Sequence, residues 1–337
     1  MLLPARWWAS MPITVLAGLS LAMLVQGQGT SETAFNRRRT MSLGIVIFPG
    51  FQPLDVYGPL EMFFGMSFER KISLSFIAKE RGPVSSGYPA HRIAPGGPLM
   101  DMGHMLQPSV VATDTFADAP PLDVLLVPGG LGNQALEDAG DTSVEDFVAR
   151  RFPQVDYLLS TCTGAVFLAK AGVLNGRRAT TNKAAWNWAV THGENITWVP
   201  AARWVQDGKV WTSSGVSAGL DMTYAFLRHF YGEDDEVLET MMNTMEYAPH
   251  TDPDWDPFSV VHNDVPGAGA QKHKLLARKP EGHALFGALF LTADLQLFDV
   301  PDAHQEGAQG FLGSCSPDPA SQSHEISSAD ISTQGTN

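Results

Sequence analysis

The chain has 337 residues, of which 44% are hydrophobic and 17% charged, a composition typical of a globular protein with a large apolar core. Its formal net charge of −14 argues against nucleic acid or an anionic membrane surface as a partner. The only cysteines are Cys162 and Cys315, and the 10 histidines show no ligand spacing, so we expect neither a disulfide framework nor a metal site.

The first 40 residues are predicted to lie outside the folded domain. Arg6 precedes an uncharged stretch, 7–31, whose apolar centre and the residues Val25-Gln26-Gly27 are compatible with a cleaved signal peptide. The stretch is also nearly long enough for a membrane anchor. A third possibility is that Met41 is the working start of a cytoplasmic protein. The sequence leaves these three localisations open.

Short apolar runs predict the strands, and segments with helical spacing separate them. The predicted strands are Leu43–Phe48, Ile72–Ala78, Val110–Ala112, Asp123–Val127, Val155–Ser160, Arg178–Thr181, Trp198–Trp204 and Val210–Ser213. The predicted helices are Asp55–Phe64, Ser143–Arg151, Ala165–Leu174, Ala184–His192, Ser217–Tyr231 and Asp234–Met245. This alternation predicts a doubly wound α/β sandwich, with a mostly parallel sheet and helices on both faces.

A ligand site is expected where the parallel strands end, because sheets of this kind bind ligands at their carboxyl edge. Several predicted strands end in small, proline or cysteine residues that would meet at this edge: Pro49-Gly50, Pro128-Gly129-Gly130, Cys162 and Ser214-Gly215.

Cys162 stands between the apolar strand Val155–Ser160 and the helical segment Ala165–Leu174. A sharp turn there would display its sulfur at the carboxyl edge, in the geometry of a nucleophile elbow. Since the amino terminus of a helix lowers a thiol pKa, we expect an ionised thiol. The alternative is a small buried hydrophobic residue, the common role of a free cysteine.

Asp55 follows the first strand closely, in an otherwise apolar run. Burial of a carboxyl group there is costly unless it forms a hydrogen bond or ion pair with another group. It could reach Cys162 across the edge of the sheet, with a raised pKa that lets a protonated acid meet a thiolate. The alternative is a helix N-cap, a position that favours aspartate.

The composition changes after about Pro266. Residues 267–279 are small and basic, and residues 304–337 are rich in Ser, Gln and Gly without periodicity, which predicts disorder. An apolar segment between them, 283–300, predicts a helix that docks on the domain, unless it is a gene-model artefact. We therefore expect an extension at 1–40, a catalytic domain at 41–266 and a tail at 267–337, with Cys315 an incidental exposed thiol.

Several motifs occur together in the order of a known family. They are Phe48–Pro59, Val127–Gly130, Ser160–Gly164, Arg177–Thr181 and Met245–Pro249. Over about residues 42–266 the chain resembles the ThiJ/PfpI superfamily, and within it the isocyanide hydratase branch. The aspartate in Leu54-Asp55-Val56-Tyr57-Gly58-Pro59 is the specific part of the resemblance, since deglycase and peptidase branches carry a glutamate in that region.

The resemblance implies an enzyme that needs no metal or organic cofactor. Cys162 would add to the terminal carbon of an isocyanide while Asp55 delivers a proton, and water would then release an N-substituted formamide. Thr163 would help to orient the ligand or the carboxylate. Further substrate contacts are expected from Gly130 and Leu131, through N–H groups opposite the sulfur, and from Gly215.

The chain departs from the family pattern at two places. Where relatives often carry a histidine, it has Asn182-Lys183 after Thr181, so a Cys–His pair from this strand is absent. Ser213-Ser214 stand where relatives are rich in glycine, which could narrow the pocket. The first departure weakens a protease-like triad and leaves the hydratase interpretation intact.

Two alternatives to a hydratase stay open. The first is an enzyme of the same superfamily that acts on an α-oxoaldehyde, as glyoxalases and deglycases do. The second is a non-catalytic redox sensor or ligand-binding protein that uses an oxidisable Cys162. The resemblance also implies a homodimer. Five tryptophans are expected mainly in the core or a dimer interface, with about one of them lining a pocket: Trp186, Trp188, Trp198, Trp204 and Trp211.

Overall fold

A computed structural model describes residues 31–89 and 104–262 of the chain. All of them belong to the first of two compact units, Met1–Pro280, whereas the second unit, Glu281–Asn337, lies outside the described residues. The predictions for the leader at 7–31 (save Ser31), the tail, the helix at 283–300 and Cys315 therefore fall outside the description. Within the described ranges, no helix has the length and apolar character needed to cross a membrane.

The strands, in chain order, are β1 (Met41–Val46), β2 (Ile72–Ala78), β3 (Gly82–Ser85), β4 (Ser109–Ala112), β5 (Asp114–Thr115), β6 (Val124–Val127), β7 (Tyr157–Ser160), β8 (Arg178–Ala179), β9 (Thr197–Trp198), β10 (Trp204–Asp207) and β11 (Val210–Ser213). The main sheet has 7 strands in the order β10-β11-β7-β6-β1-β2-β5. All its pairs are parallel except β10 with β11. Two small sheets, antiparallel β3–β4 and parallel β8–β9, stand apart from it.

The helices are α1 (Pro53–Met66), α2 (Gly132–Asp138), α3 (Ser143–Arg151), α4 (Gly164–Lys170), α5 (Trp186–Ala189), α6 (Ala218–Tyr231), α7 (Glu236–Thr244) and α8 (Phe258–Val261). A further helical segment covers residues 31–36, and a 3-10 turn covers Phe152–Gln154. The predicted class, a doubly wound α/β sandwich with a mostly parallel sheet, is confirmed.

The central strands are predominantly apolar because helices cover both faces of a parallel sheet. Leu125 and Leu158 are fully buried. In register, Gly44 pairs with Leu125, Leu125 with Leu158, and Leu158 with Val210. Since these strands are parallel and aligned, their carboxyl ends meet at one edge, which is where the sequence predicts the site.

Several predicted elements are shorter than expected. The helix predicted at Ala184–His192 covers only Trp186–Ala189, and the strand predicted at Arg178–Thr181 covers only Arg178–Ala179. The predicted strand Trp198–Trp204 divides into β9 and β10, because Pro200 between them has no N–H to donate to a ladder. The predicted helix Ala165–Leu174 ends at Lys170, and Gly172 then adopts a left-handed φ of 73° that terminates it.

Residues 36–39, which precede the predicted domain boundary at Met41, are bonded to the domain. The Asn36 side chain donates to the Phe230 carbonyl at 3.0 Å. The Arg39 guanidinium forms ion pairs with Asp123 at 2.8 Å and Asp156 at 3.0 Å. This segment therefore ties β1 to the loops that precede β6 and β7.

We expect Arg39→Ala to lower the free energy of unfolding by about 1–2 kcal/mol, since it removes charge-assisted bonds that are only partly exposed. Denaturant unfolding would measure the change. Arg38→Ala is the matched control, because the Arg38 side chain is exposed and should change stability little. Equal losses in the two variants would show that the Arg39 ion pairs contribute nothing.

Candidate active site

Cys162 occupies a strained turn between β7 and α4. Its φ of 56° lies in the left-handed region, which is unusual for a residue with a side chain and typical of functional sites. Two bonds hold the turn: the Cys162 N–H donates to the Ser214 carbonyl at 2.9 Å, and the Thr181 hydroxyl donates to the Cys162 carbonyl at 3.1 Å. The structure thus places Cys162 in the strand–turn–helix geometry of a nucleophile elbow.

Asp55 lies in the first turn of α1, and its side chain is fully buried beside Cys162. Its Oδ2 accepts a hydrogen bond from the Gly129 N–H at 2.9 Å. Its Oδ1 accepts no regular hydrogen bond from a described group, although the thiol is a close neighbour. The N-cap of α1 is Gln52, so the alternative that Asp55 caps the helix is wrong.

The carboxyl and the thiol perturb one another. Burial raises the pKa of Asp55 to about 7, a shift that the Gly129 hydrogen bond and the neighbouring Cys162 thiol partly oppose. Burial and the charge of Asp55 raise the pKa of the Cys162 thiol well above its usual range. The expectation of a thiol that is ionised at rest is therefore corrected: the desolvation of a buried sulfur outweighs the bonds that favour the thiolate.

Asn182 contacts the sulfur directly. It occupies the position where relatives often carry a histidine. Its Nδ2 lies 3.2 Å from Cys162 Sγ, and its Oδ1 accepts from the Ala185 N–H at 3.1 Å. This second bond fixes which end of the amide faces the sulfur. The Asn182 bond is one of the interactions that lower the thiol pKa against the effect of burial. From the sequence, Asn182 could be identified only as a polar residue that replaces a histidine after Thr181.

Gly129 and Gly130 bring the loop after β6 against the elbow. A Cβ on Gly129 would lie 2.5 Å from the Thr163 backbone nitrogen and 3.0 Å from Asp55 Oδ2, so only glycine fits there. The Gly130 N–H donates to the Thr163 hydroxyl at 3.0 Å. Gly130 lines the cavity, as expected of a substrate-binding residue, but its N–H is used by Thr163 and is not the free donor that the sequence predicts. Thr163 therefore orients this loop.

Leu131 reaches the cavity, with a side chain that is 47% exposed. Within residues 31–89 and 104–262, its N–H donates no hydrogen bond that the structure records, so it is the remaining member of the predicted donor pair. Gly215 does not line the cavity, but a Cβ there would lie 3.2 Å from Asn182 Nδ2. Its role is to leave room for Asn182, while Val216 forms the wall.

The Ser213 and Ser214 side chains are buried, and the Ser213 hydroxyl donates to the Ser160 carbonyl at 3.4 Å. Neither serine is among the residues that line the cavity, so the expectation that they narrow it is not met.

A cavity of about 810 Å³ opens above the sulfur. Its apolar walls include Leu131, Val216, Trp186 and Trp188. Two of the five tryptophans therefore line the cavity, where the sequence predicts about one, because the short helix α5 follows the Asn182 turn. His262, at the end of α8, also lines the cavity and was not predicted. In the part of the chain that the structure describes, no cluster of His, Cys, Asp or Glu side chains is arranged to hold a metal ion.

This mostly parallel sheet, with a cysteine on a strained elbow and a buried acid in the first helix beside it, defines a class of α/β sandwich proteins. A family model described as DJ-1/PfpI matches residues 41–229, more than half of the chain, and the chain belongs to this family. The predicted ThiJ/PfpI resemblance is therefore confirmed.

Individual relatives extend the comparison. The chain is 32% identical over 227 residues to isonitrile hydratase of Pseudomonas putida, covering 66% of this chain and 87% of the relative. It is also 32% identical over 140 residues to an uncharacterized protein of Streptomyces lividans, covering 41% of this chain and 84% of that one. Among solved structures, it is similar to a ThiJ/PfpI family protein from Pseudomonas syringae, with a TM-score of 0.50 and 26% identity over 71% of this chain and 87% of that one.

Proposed function

We propose that the chain is an isocyanide hydratase, which adds water to an isocyanide to give an N-substituted formamide. The observation that carries the proposal is the buried Asp55 carboxyl beside Cys162, with a pKa raised to about 7. A carboxyl with such a pKa exchanges protons readily at neutral pH, which a hydration requires. The similarity to the Pseudomonas putida isonitrile hydratase supports the same assignment.

In the first step, the thiol proton passes to the Asp55 carboxylate as the sulfur attacks. The terminal carbon of the isocyanide accepts the sulfur electron pair, and a C–S bond forms. The protonated Asp55 then delivers the proton to that same carbon. The product is a thioimidate on Cys162 with a new C–H bond, and the carboxylate is restored.

In the second step, water attacks the thioimidate carbon while Asp55 accepts one of its protons. Asp55 passes this proton to the nitrogen. As the new carbonyl forms, the second proton of the water goes to the sulfur and the C–S bond breaks, so the Cys162 thiol and the Asp55 carboxylate are both regenerated. The formamide keeps the oxygen of the water. One isocyanide and one water are consumed, and neither an oxidant nor a cofactor is needed.

The surroundings of the pair are compatible with this chemistry. Asn182 donates to the sulfur and favours the thiolate as it forms. The apolar wall of Trp186, Trp188 and Val216 suits the neutral organic group on the isocyanide nitrogen.

The test is turnover by the full chain on a panel of alkyl and aryl isocyanides, with the formamide identified by nuclear magnetic resonance. We expect catalytic formation of the formamide. An α-oxoaldehyde serves as the parallel substrate. Turnover of the aldehyde alone would contradict the proposal in favour of a glyoxalase-like enzyme. Oxidation of Cys162 without turnover of either compound would contradict it in favour of a sensor.

We also propose a homodimer, formed through the exposed apolar face of α1. Leu54, Tyr57 and Phe64 lie on one side of this helix, and Phe68 follows just beyond it with 76% of its surface exposed. A second copy would cover this face. We expect light scattering to give the mass of two chains at micromolar concentration and of one chain for Phe68→Glu. A single-chain mass for the unmodified protein would contradict the proposal.

A further inference from the structure

Lys183 carries an ammonium group buried beneath the turn that presents Asn182. Its side chain is only 1% exposed. Nζ donates to the Thr180 hydroxyl at 2.7 Å, the Thr181 carbonyl at 3.2 Å and the Ala202 carbonyl at 2.9 Å. The three N–H bonds of the amine are therefore occupied, so Lys183 is not available to react with a ligand in the cavity.

The counter-ion of Lys183 comes from the far end of the described chain. Asp256 Oδ2 lies 3.8 Å from Lys183 Nζ, and the Asp256 side chain is fully buried. Asp256 Oδ1 accepts from the Phe258 N–H at 3.1 Å, and so fixes the start of α8. Arg203 also lies 3.8 Å from Asp256 Oδ1. Burial lowers the pKa of Lys183 to about 8, partly opposed by Asp256, so most of the amine stays charged at neutral pH.

Each partner of this ion pair belongs to a segment that contributes residues to the active site. On the Lys183 side, the turn supplies the Thr181 bond to the Cys162 carbonyl and the Asn182 bond to the sulfur. On the Asp256 side, α8 carries Val261, which lines the cavity. Removal of one partner would leave the other buried charge with less compensation, which is costly, so the segments that carry Lys183 and Asp256 are energetically coupled.

We propose that Lys183 is a positioning residue for the nucleophile: paired with Asp256, it holds the 180–183 turn so that the Asn182 amide stays on Cys162 Sγ. This role goes beyond the proposed reaction and does not depend on the substrate being an isocyanide, since it concerns the ionisation of the thiol. It also gives a function to the residue that follows Asn182 in this chain.

The test is the apparent pKa of Cys162, taken from the pH dependence of its alkylation by iodoacetamide in a full-length Cys315→Ser background. We expect Asn182→Ala to raise this pKa by about one unit, which lowers the rate at neutral pH about tenfold. Lys183→Met should produce a similar rise. The double variant should show no more than the Asn182→Ala effect, because Lys183 acts through Asn182. An unchanged pKa in Lys183→Met, or shifts that add in the double variant, would overturn the proposal.

Two further variants complete the design. Lys209→Met is the matched control, because its amine also donates to two carbonyls, those of Phe152 and Val155, but at the opposite end of the sheet. It should leave the thiol pKa unchanged. If Lys183→Met does not fold, Lys183→Met combined with Asp256→Asn removes both charges and keeps an acceptor for the α8 cap. A raised thiol pKa in this variant supports the proposal, and a wild-type value overturns it.

Discussion

Asp55→Asn is expected to lower kcat for isocyanide hydration by about 10²–10⁴-fold, the usual value of a positioned proton donor. Asparagine can still accept the Gly129 hydrogen bond through its oxygen, so the local geometry should be kept. It can neither take the thiol proton nor deliver one to the isocyanide carbon. Steady-state kinetics on the panel of isocyanides would measure the loss, and near-normal hydration would contradict the mechanism.

The same variant should change the pH profile. In the unmodified protein, activity requires the Asp55 carboxylate as acceptor of the thiol proton. The rate should therefore rise as pH increases through the pKa of Asp55, which burial places at about 7. At high pH the pair loses its remaining proton and the rate should fall. In Asp55→Asn the rise in rate near pH 7 should be absent from the pH profile.

The stability of Asp55→Asn separates a chemical defect from a folding defect. Because the folded-state pKa of Asp55 is raised above its unfolded value, the folded state binds more protons, and stability falls as pH rises from about 4 to about 7. Removal of the carboxylate should therefore leave the variant at least as stable as the parent above pH 7. A loss of the folded state would instead show that Asp55 is needed for structure.

Cys162→Ser is expected to abolish hydration, with a loss of about 10⁴-fold or more, since nucleophile replacements in comparable catalytic units cost up to about 10⁶-fold. A serine hydroxyl is a weaker nucleophile, and Asp55 with a pKa near 7 cannot deprotonate it appreciably. The measurement is formamide production at high enzyme concentration. The side chain is 6% exposed and nearly isosteric, so circular dichroism should be unchanged. Substantial residual turnover would exclude Cys162 as the nucleophile.

The sequence predicts the architecture well because its strongest signals are local. Runs such as Val124–Val127 and Tyr157–Ser160 are short and mostly apolar, and proline, glycine or small polar residues follow them, which is typical of buried parallel strands. Cys162 was identifiable because it directly follows an apolar strand, and Asp55 because it is an acid in an otherwise apolar run after the first strand.

The raised pKa of the Cys162 thiol could not be predicted from the residues around it in the sequence. The helix that follows Cys162 suggests a lowered thiol pKa. In the structure this pKa depends mainly on burial by segments that are distant in sequence and on the charge of Asp55, 107 residues earlier. Desolvation by such segments is not encoded in the elbow motif.

Other features were missed because they depend on pairs of residues far apart in the chain. Lys183 and Asp256 are 73 positions apart, and no local pattern links them. Asn182 was recognised only as the absence of histidine, although its amide has the reach and the hydrogen-bond donor to contact the sulfur. The contacts of Asn36 and Arg39 with the domain were hidden by the charged run at Arg37-Arg38-Arg39, which resembles the flank of a membrane segment.

The most direct test of the central claim is the mass of the protein after it is mixed with an isocyanide and quenched in acid within one turnover. The account predicts an adduct on the peptide that contains Cys162, heavier by the mass of one intact isocyanide because addition releases no leaving group. The adduct should be absent from Cys162→Ser and should decay to formamide in the unmodified protein. Formamide production at the same rate, with Cys162 unmodified at every time point, would contradict the account.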